Sequence, residues 1–219
     1  MNTNYGNESE NINLIVKTTS LVMYIVKNYI SRGDLVVDCT MGNGHDTLSL
    51  ACAVGITESG ADSAGIVLSF DVQDSALKNT EKLLAENGIN NTEKSGIFLI
   101  KDSHENIDKY LKTWNTKPSA IVFNLGFMPG GDKTILTEKH STVKAVKKAI
   151  ELIKDDGIVS VTTYSGHPEG AEENIALLET LRTLPPKRYH VVYMDMLNQR
   201  KTAPRVFFIT RKKRKTIDT

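Results

Sequence analysis

Residues 35–46, LVVDCTMGNGHD, decide the fold. Leu35, Val36 and Val37 form a short apolar run of the kind a strand buried on both faces shows. The run ends on an acid, Asp38, and turns through Gly42 and Gly44 straight into a helical pattern at 45–54. A strand that turns through glycines into a helix opens a βα unit, and such units build parallel sheets. The chain around it repeats the alternation. Strands are expected at 66–70, 97–100, 120–123 and 158–163, with helices at 75–86, 104–113, 138–153 and 169–184. Ahead of the first strand, Thr18, Leu21, Val22, Ile25, Val26 and Tyr29 keep helical spacing, and Gly33 lies just past its end. The small polar stretch 55–65 reads as a surface loop. The finish differs: apolar runs at 189–196 and 205–210 lie too close for a crossover helix and should pair antiparallel.

At 219 residues, with 40% hydrophobic and 24% charged residues, the chain suits one soluble α/β domain. The division expected is a single domain over 1–210 and a basic tail over 211–219. No apolar run reaches the length of a membrane span, and the first ten residues lack the pattern of a signal peptide. A cytoplasmic protein with no membrane contact is therefore expected. Cys39 and Cys52 form no CxxC pair, and the five histidines show no ligand spacing, so no metal site is expected. The net charge of +1 hides an asymmetry: the last nine residues carry five Lys/Arg and one Asp, leaving a body of 22 basic and 25 acidic residues. Such a tail is either a solvated terminus or an arm that follows a polyanion.

Ligands of an open α/β sheet bind at the carboxyl ends of its strands. At the first tip, Asp38, Gly42, Asn43, Gly44, His45 and Asp46 offer a turn open to a ligand and a helix N-terminus that suits a carboxylate or phosphate. Asp71 at the second tip can accept both hydroxyls of a ribose. Asp102, Ser103 and His104 follow the third. The pattern fits either NAD or S-adenosylmethionine. Thr47 stands where a dinucleotide site carries its third glycine, and Asp38 suits a cationic amino-acid end, both of which favour the sulfonium cofactor. The fourth tip delivers NLGFMPGGDK (124–133), a non-regular loop whose Asn124 amide oxygen and backbone carbonyls could accept from an amine. His167 and Tyr164 follow the fifth strand at the same rim.

The turn VVDCTMGNGHDTLSLA, the tip FDVQ, the DSHENI segment, the NLGFMPGGDK loop and the YSGHPEG stretch together resemble the MnmM family, also called YtqB. The resemblance runs from the first helix through the last strand. It implies a class I methyltransferase, a Rossmann-like three-layer α/β sandwich on a seven-stranded, mostly parallel sheet with the last strand antiparallel. It also implies S-adenosylmethionine as cofactor and N-methylation of a tRNA wobble uridine, from 5-aminomethyl-2-thiouridine to the 5-methylaminomethyl form. By motif, Asp38, Gly42, Asn43, Gly44, His45 and Asp46 would surround the methionine end. Asp71 and Gln73 would hold the ribose, and Asp102, Ser103 and His104 would border the adenine. Asn124 and the loop after it would face the amine.

In this reading Asn124 and Leu125 orient the amine, and Asp132 or His167 takes the released proton. Phe127 or Tyr164 stacks on the wobble base, and Pro129, Gly130, Gly131 and Lys133 shape its pocket. The alternatives are an rRNA or small-molecule amine methyltransferase and, from another class, an NAD-dependent oxidoreductase. The expected partner is the tRNA anticodon stem-loop, and the first helix and terminal hairpin offer surfaces for a homodimer. Arg200 and Lys201, in the hairpin loop, are candidate phosphate contacts. If they serve RNA, Arg200→Ala with Lys201→Ala will weaken binding and flatten its salt dependence, and an unchanged slope would exclude this surface.

Overall fold

The structure is a computed structural model that describes residues 17–56, 64–90, 92–126, 139–166, 168–200 and 202–213. Seven strands form one sheet: β1 (Leu35–Asp38), β2 (Ile66–Asp71), β3 (Ile97–Lys101), β4 (Ala120–Leu125), β5 (Ile158–Tyr164), β6 (Tyr189–Met194) and β7 (Pro204–Arg211). Their order across the sheet is β3-β2-β1-β4-β5-β7-β6. β1 to β5 pair in parallel, while β7 lies antiparallel to both β5 and β6. Six strands thus point one way and β7 the other.

Helices cover both faces. α1 (Thr18–Lys27), α2 (His45–Ala53) and α3 (Asp74–Glu86) close one apolar layer, which includes Val26, Val36, Leu50, Val67, Leu84 and Phe208. α4 (Ile107–Leu111), α5 (Lys139–Leu152) and α6 (Pro168–Arg182) close the other, with Val37, Phe70, Phe123, Ile150, Leu177 and Phe207. All four residues of β1 are buried, as a central strand covered on both faces requires.

Two expectations change. The helix at 104–113 is a single 3-10 turn at 104–106, where the Ser103 hydroxyl accepts from the Glu105 N–H, followed by the five-residue α4. The tail begins later than 211. Arg211 ends β7 and its guanidinium donates to the carbonyls of Glu151 and Ile153, the Lys212 N–H donates to Arg188, and Lys213 pairs with Asp156. The terminal hairpin forms as expected, but β7 inserts between β5 and β6 and leaves β6 at the edge. Burial supplies the reason. Val206, Phe207, Phe208 and Ile209 are buried in succession, which only an inner strand can achieve, whereas β6 is exposed from His190 to Tyr193.

The return from α2 to β2 depends on close backbone approach. Gly33 and Gly65 N–H groups both donate to the Val54 carbonyl. A Cβ on Gly65 would overlap the Asp34 carbonyl oxygen and lie 2.6 Å from the Val54 Cβ. Gly65→Ala should therefore cost about 1–3 kcal/mol, the range of overpacked sites. Its thermal unfolding would show this, and an unchanged midpoint would mean the backbone there can yield.

Candidate methyl-transfer site

The sheet order reverses between β1 and β4, and the polar tips gather there. Gly44 caps α2 in the left-handed region at φ 84, and a Cβ there would lie 2.9 Å from the Thr80 Cα of α3. Glycine is therefore needed both for the turn and for the contact between α2 and α3. Asp38 spends both carboxylate oxygens on the protein. It is completely buried, with Oδ1 accepting from the Thr40 N–H at 3.0 Å and Oδ2 from the Thr47 hydroxyl at 2.7 Å. Thr47 is in turn 2.5 Å from the Ser69 hydroxyl on β2. The residue in place of a third glycine is thus an internal strut. Burial, and then the Asp46 carboxylate, push the Asp38 pKa up to about 7 against the hydrogen bonds from Thr47 and Thr40.

Asp71 ends β2. Its Oδ2 accepts from the Gly42 N–H and its Oδ1 from the Gln73 N–H, both at 3.0 Å, so it braces the glycine loop. Each carboxylate oxygen retains acceptor capacity for a further donor such as a ribose hydroxyl. Asp102 accepts from the Ser103 N–H, the Asn106 amide and the Tyr110 hydroxyl. Burial would raise its pKa, but those three donors outweigh it and hold the carboxyl below its usual range. His104 is 8% exposed and sits edge-on to Phe123. Its Nδ1 lies 3.2 Å from the Cys39 carbonyl, which assigns the proton to Nδ1. Nε2 is then a buried acceptor with no partner among the described residues, and burial keeps the ring neutral by lowering its pKa. Asn43 accepts from Asn79 at 2.9 Å, while His45 is exposed.

Asn124, on β4, is held at two points. Its backbone N–H donates to the Thr40 hydroxyl at 2.7 Å, joining β4 to the loop after β1. Its Nδ2 lies 3.5 Å from Asp46 Oδ2, and a carboxylate there turns the amide so that NH₂ faces it. The other end of the amide, Oδ1, is buried and finds no partner among the described residues. The Asp46 pKa is raised by burial, with the Asn124 amide and His45 working against it. Tyr164 closes the cluster: its ring lies against Gly126, and burial, then Asp46, raise the pKa of its hydroxyl. Leu125 is buried.

Of the residues expected at the site, the structure brings Asp38, Asp46, Asn124 and Tyr164 together at the tips of β1, β4 and β5, with Asp71 and His104 hydrogen-bonded to the loop after β1. Arg200 lies at the exposed hairpin. Phe127, Pro129, Gly130, Gly131, Asp132, Lys133, His167 and Lys201 lie outside the described residues. Three contributors were missed: Thr40 and Thr47, which tie the loop to β4 and to Asp38, and Tyr110, which holds Asp102. Hydroxyls as common as these carry no spacing signal, and Thr40 is 84 positions from Asn124. A neutral acceptor at Asn124, a neutral His104 and a braced acid at Asp71 suit a ligand that presents N–H and O–H donors.

This sheet order, with polar strand tips at the reversal point, defines a class I, S-adenosylmethionine-dependent methyltransferase, and the comparisons with known proteins agree. A profile of the family described as "Putative rRNA methylase" matches residues 67–210. The chloroplastic tRNA (mnm(5)s(2)U34)-methyltransferase of Arabidopsis thaliana is 32% identical over 194 residues, covering 88% of this chain and 69% of the relative. Among solved structures, a Clostridium thermocellum protein described as a "putative rRNA-methylase" is 36% identical at a TM-score of 0.79, covering 89% of this chain and 97% of its own. A Streptococcus mutans protein described as "a putative methyltransferase", solved with S-adenosylhomocysteine, is 28% identical at a TM-score of 0.74, covering 89% of this chain and 98% of its own. The chain belongs to this rRNA-methylase family, the MnmM (YtqB) group that the motifs resemble.

Asp38 gives the site a signature in stability. An Asp in the unfolded chain titrates near about 3.9, whereas the folded Asp38 is raised to about 7. Between those values the native state holds the extra proton, so this group's contribution to stability falls as pH rises through the window. Asp38→Asn should abolish that part of the decline, measured as melting midpoints from pH 4 to pH 8. A slope as steep in the variant as in the parent would place its origin elsewhere.

Proposed function

We propose that the protein N-methylates the wobble uridine of tRNA, converting 5-aminomethyl-2-thiouridine to the 5-methylaminomethyl form. The observation that carries this is the buried Oδ1 of Asn124, which has no partner among the described residues and is an acceptor at the reversal point suited to an amine N–H. The curated relative named for this reaction supports the choice of tRNA.

The chain's part in the chemistry is placement. Asp71 would hold the ribose, the glycine loop and the start of α2 the carboxylate end, and His104 Nε2 would accept from a donor at the far side. When bound, S-adenosylmethionine supplies a methyl whose C–S bond breaks as the C–N bond forms, with one proton leaving the nitrogen. Asn124 Oδ1 and the Leu125 carbonyl take N–H bonds and so aim the nitrogen lone pair. Orientation of this kind is worth up to about 7–11 kcal/mol in well-placed intramolecular reactions. The amine must be neutral, and a crevice poor in water lowers an ammonium pKa by disfavouring the charge. Asp132 or His167 is the proton acceptor in this reading, and Tyr164 or Phe127 the surface on which the extruded base stacks.

The proposal includes the anticodon stem-loop as the part of tRNA bound, and a cytoplasmic location. Among the described residues no helix is long and apolar enough to cross a membrane. It also includes a homodimer, supported by the edge position of β6 and its exposed Val191, Val192 and Tyr193. An rRNA substrate, which the family's description names, remains the competing outcome of the assay.

Purified protein, labelled methyl donor and either tRNA bearing 5-aminomethyl-2-thiouridine or total rRNA provide that assay. Label should enter the tRNA and appear by mass spectrometry as the methylaminomethyl nucleoside; label in rRNA alone would refute the proposal. Asn124→Ala should lower kcat on the order of 100-fold, the loss typical of one positioned transition-state contact. Its affinity for S-adenosylhomocysteine, measured by calorimetry, should stay close to that of the parent.

A further inference from the structure

The loop between β6 and β7 belongs to the catalytic rim. β6 runs parallel to β1–β5, so its carboxyl end and the loop that follows emerge at the edge where Asp38, Asp71 and Asn124 gather. The pairing of Tyr164 with Pro204 puts the end of that loop beside the last residue of β5.

The loop is braced. Arg205 reaches back across its base, with Nη1 donating to the Ser165 hydroxyl at 2.6 Å and Nε to Asp195 Oδ2 at 3.2 Å. Two turns close within it, from the Gln199 N–H to the Met196 carbonyl at 3.1 Å and from the Ala203 N–H to the Arg200 carbonyl at 2.8 Å. Thr202 lies beside Gly166 of the rim. On this held turn Leu197 is 99% exposed, the most exposed of the large apolar side chains described. Leucines scattered on a surface are ordinary. This one differs because the chain holds it fully in water at the site's edge, three positions from Arg200, in a segment where Arg200, Lys201 and Arg205 outnumber Asp195.

We propose that the turn at 197–200 docks the single-stranded anticodon loop, with Leu197 filling the stacking space left by the extruded wobble base and Arg200 meeting an adjacent phosphate. The inference rests on the tRNA reading above and adds to it a contact that no catalytic motif contains. Extruding a base breaks its stacking on both neighbours. An apolar wedge entering the gap shields the two exposed base faces, as apolar side chains do between unstacked steps of a duplex. The neighbouring cation supplies the sequence-independent attraction to the backbone.

Leu197 touches so little of its own chain that its replacement cannot disturb the fold, which makes the test clean. With full-length protein and tRNA bearing 5-aminomethyl-2-thiouridine, Leu197→Ala should raise KM for tRNA roughly tenfold, in keeping with one apolar side chain's burial. Affinity for S-adenosylhomocysteine should not change, and Leu197→Met should restore most of the loss. Methylation by the parent with an unaltered KM in Leu197→Ala would overturn this proposal alone. Absence of transfer to tRNA by the parent, with S-adenosylhomocysteine still bound, would overturn the substrate reading and this proposal with it. A fall in sedimentation mass in Leu197→Ala would assign the side chain to a contact between copies instead.

Discussion

The carboxylate of Asp38, sealed at the end of β1, is the interaction on which the site depends. One oxygen fixes the backbone at Thr40 and the other the Thr47 hydroxyl, which continues to Ser69 on β2. Thr40 then takes the N–H of Asn124 on β4. A single buried acid thus links three neighbouring strand tips through four hydrogen-bonding side chains and leaves no freedom to the loop between them. Its partial neutralisation follows from the same burial, because a charge so enclosed and so near Asp46 is costly.

The rest of the rim divides its labour around that knot. Asp71 braces the glycine loop and its own turn, and Asp102 spends its visible hydrogen bonds on the segment that follows it, so both stiffen this side of the rim. Asn124 does the reverse. Its backbone is tied and its NH₂ faces Asp46, which leaves the carbonyl oxygen without a partner among the described residues. A buried acceptor without a partner carries a desolvation cost, and a ligand donor that meets it recovers the difference. That asymmetry leaves this tip an acceptor for a ligand's N–H or O–H donor. The hairpin, anchored on Ser165 through Arg205, extends the same rim outward to a scale that suits a macromolecule.

Much of this was legible in the residues. The run at 35–37 followed by two glycines announced a βα unit, and repeated alternation announced the parallel sheet. The short spacing of the last two strands announced their antiparallel pairing. The place of β7 between β5 and β6 could have been read from the unbroken run 206–209, which needs cover on both faces. That Asp38 is sealed at the end of its strand was not legible in one dimension, where an acid before a glycine turn looks exposed. Its burial depends on Thr47 and Ser69, 9 and 31 positions away.

The sequence by itself determined the class of fold, the strand tips that carry polar residues and the family, because hydrophobic period, glycine position and motif spacing are local properties. Only the tertiary structure decided which of those polar residues face inward as struts and which remain open to a ligand. Packing brings together residues as distant as Thr40 and Asn124, and the accounting of buried donors and acceptors can be made only after the strands are side by side.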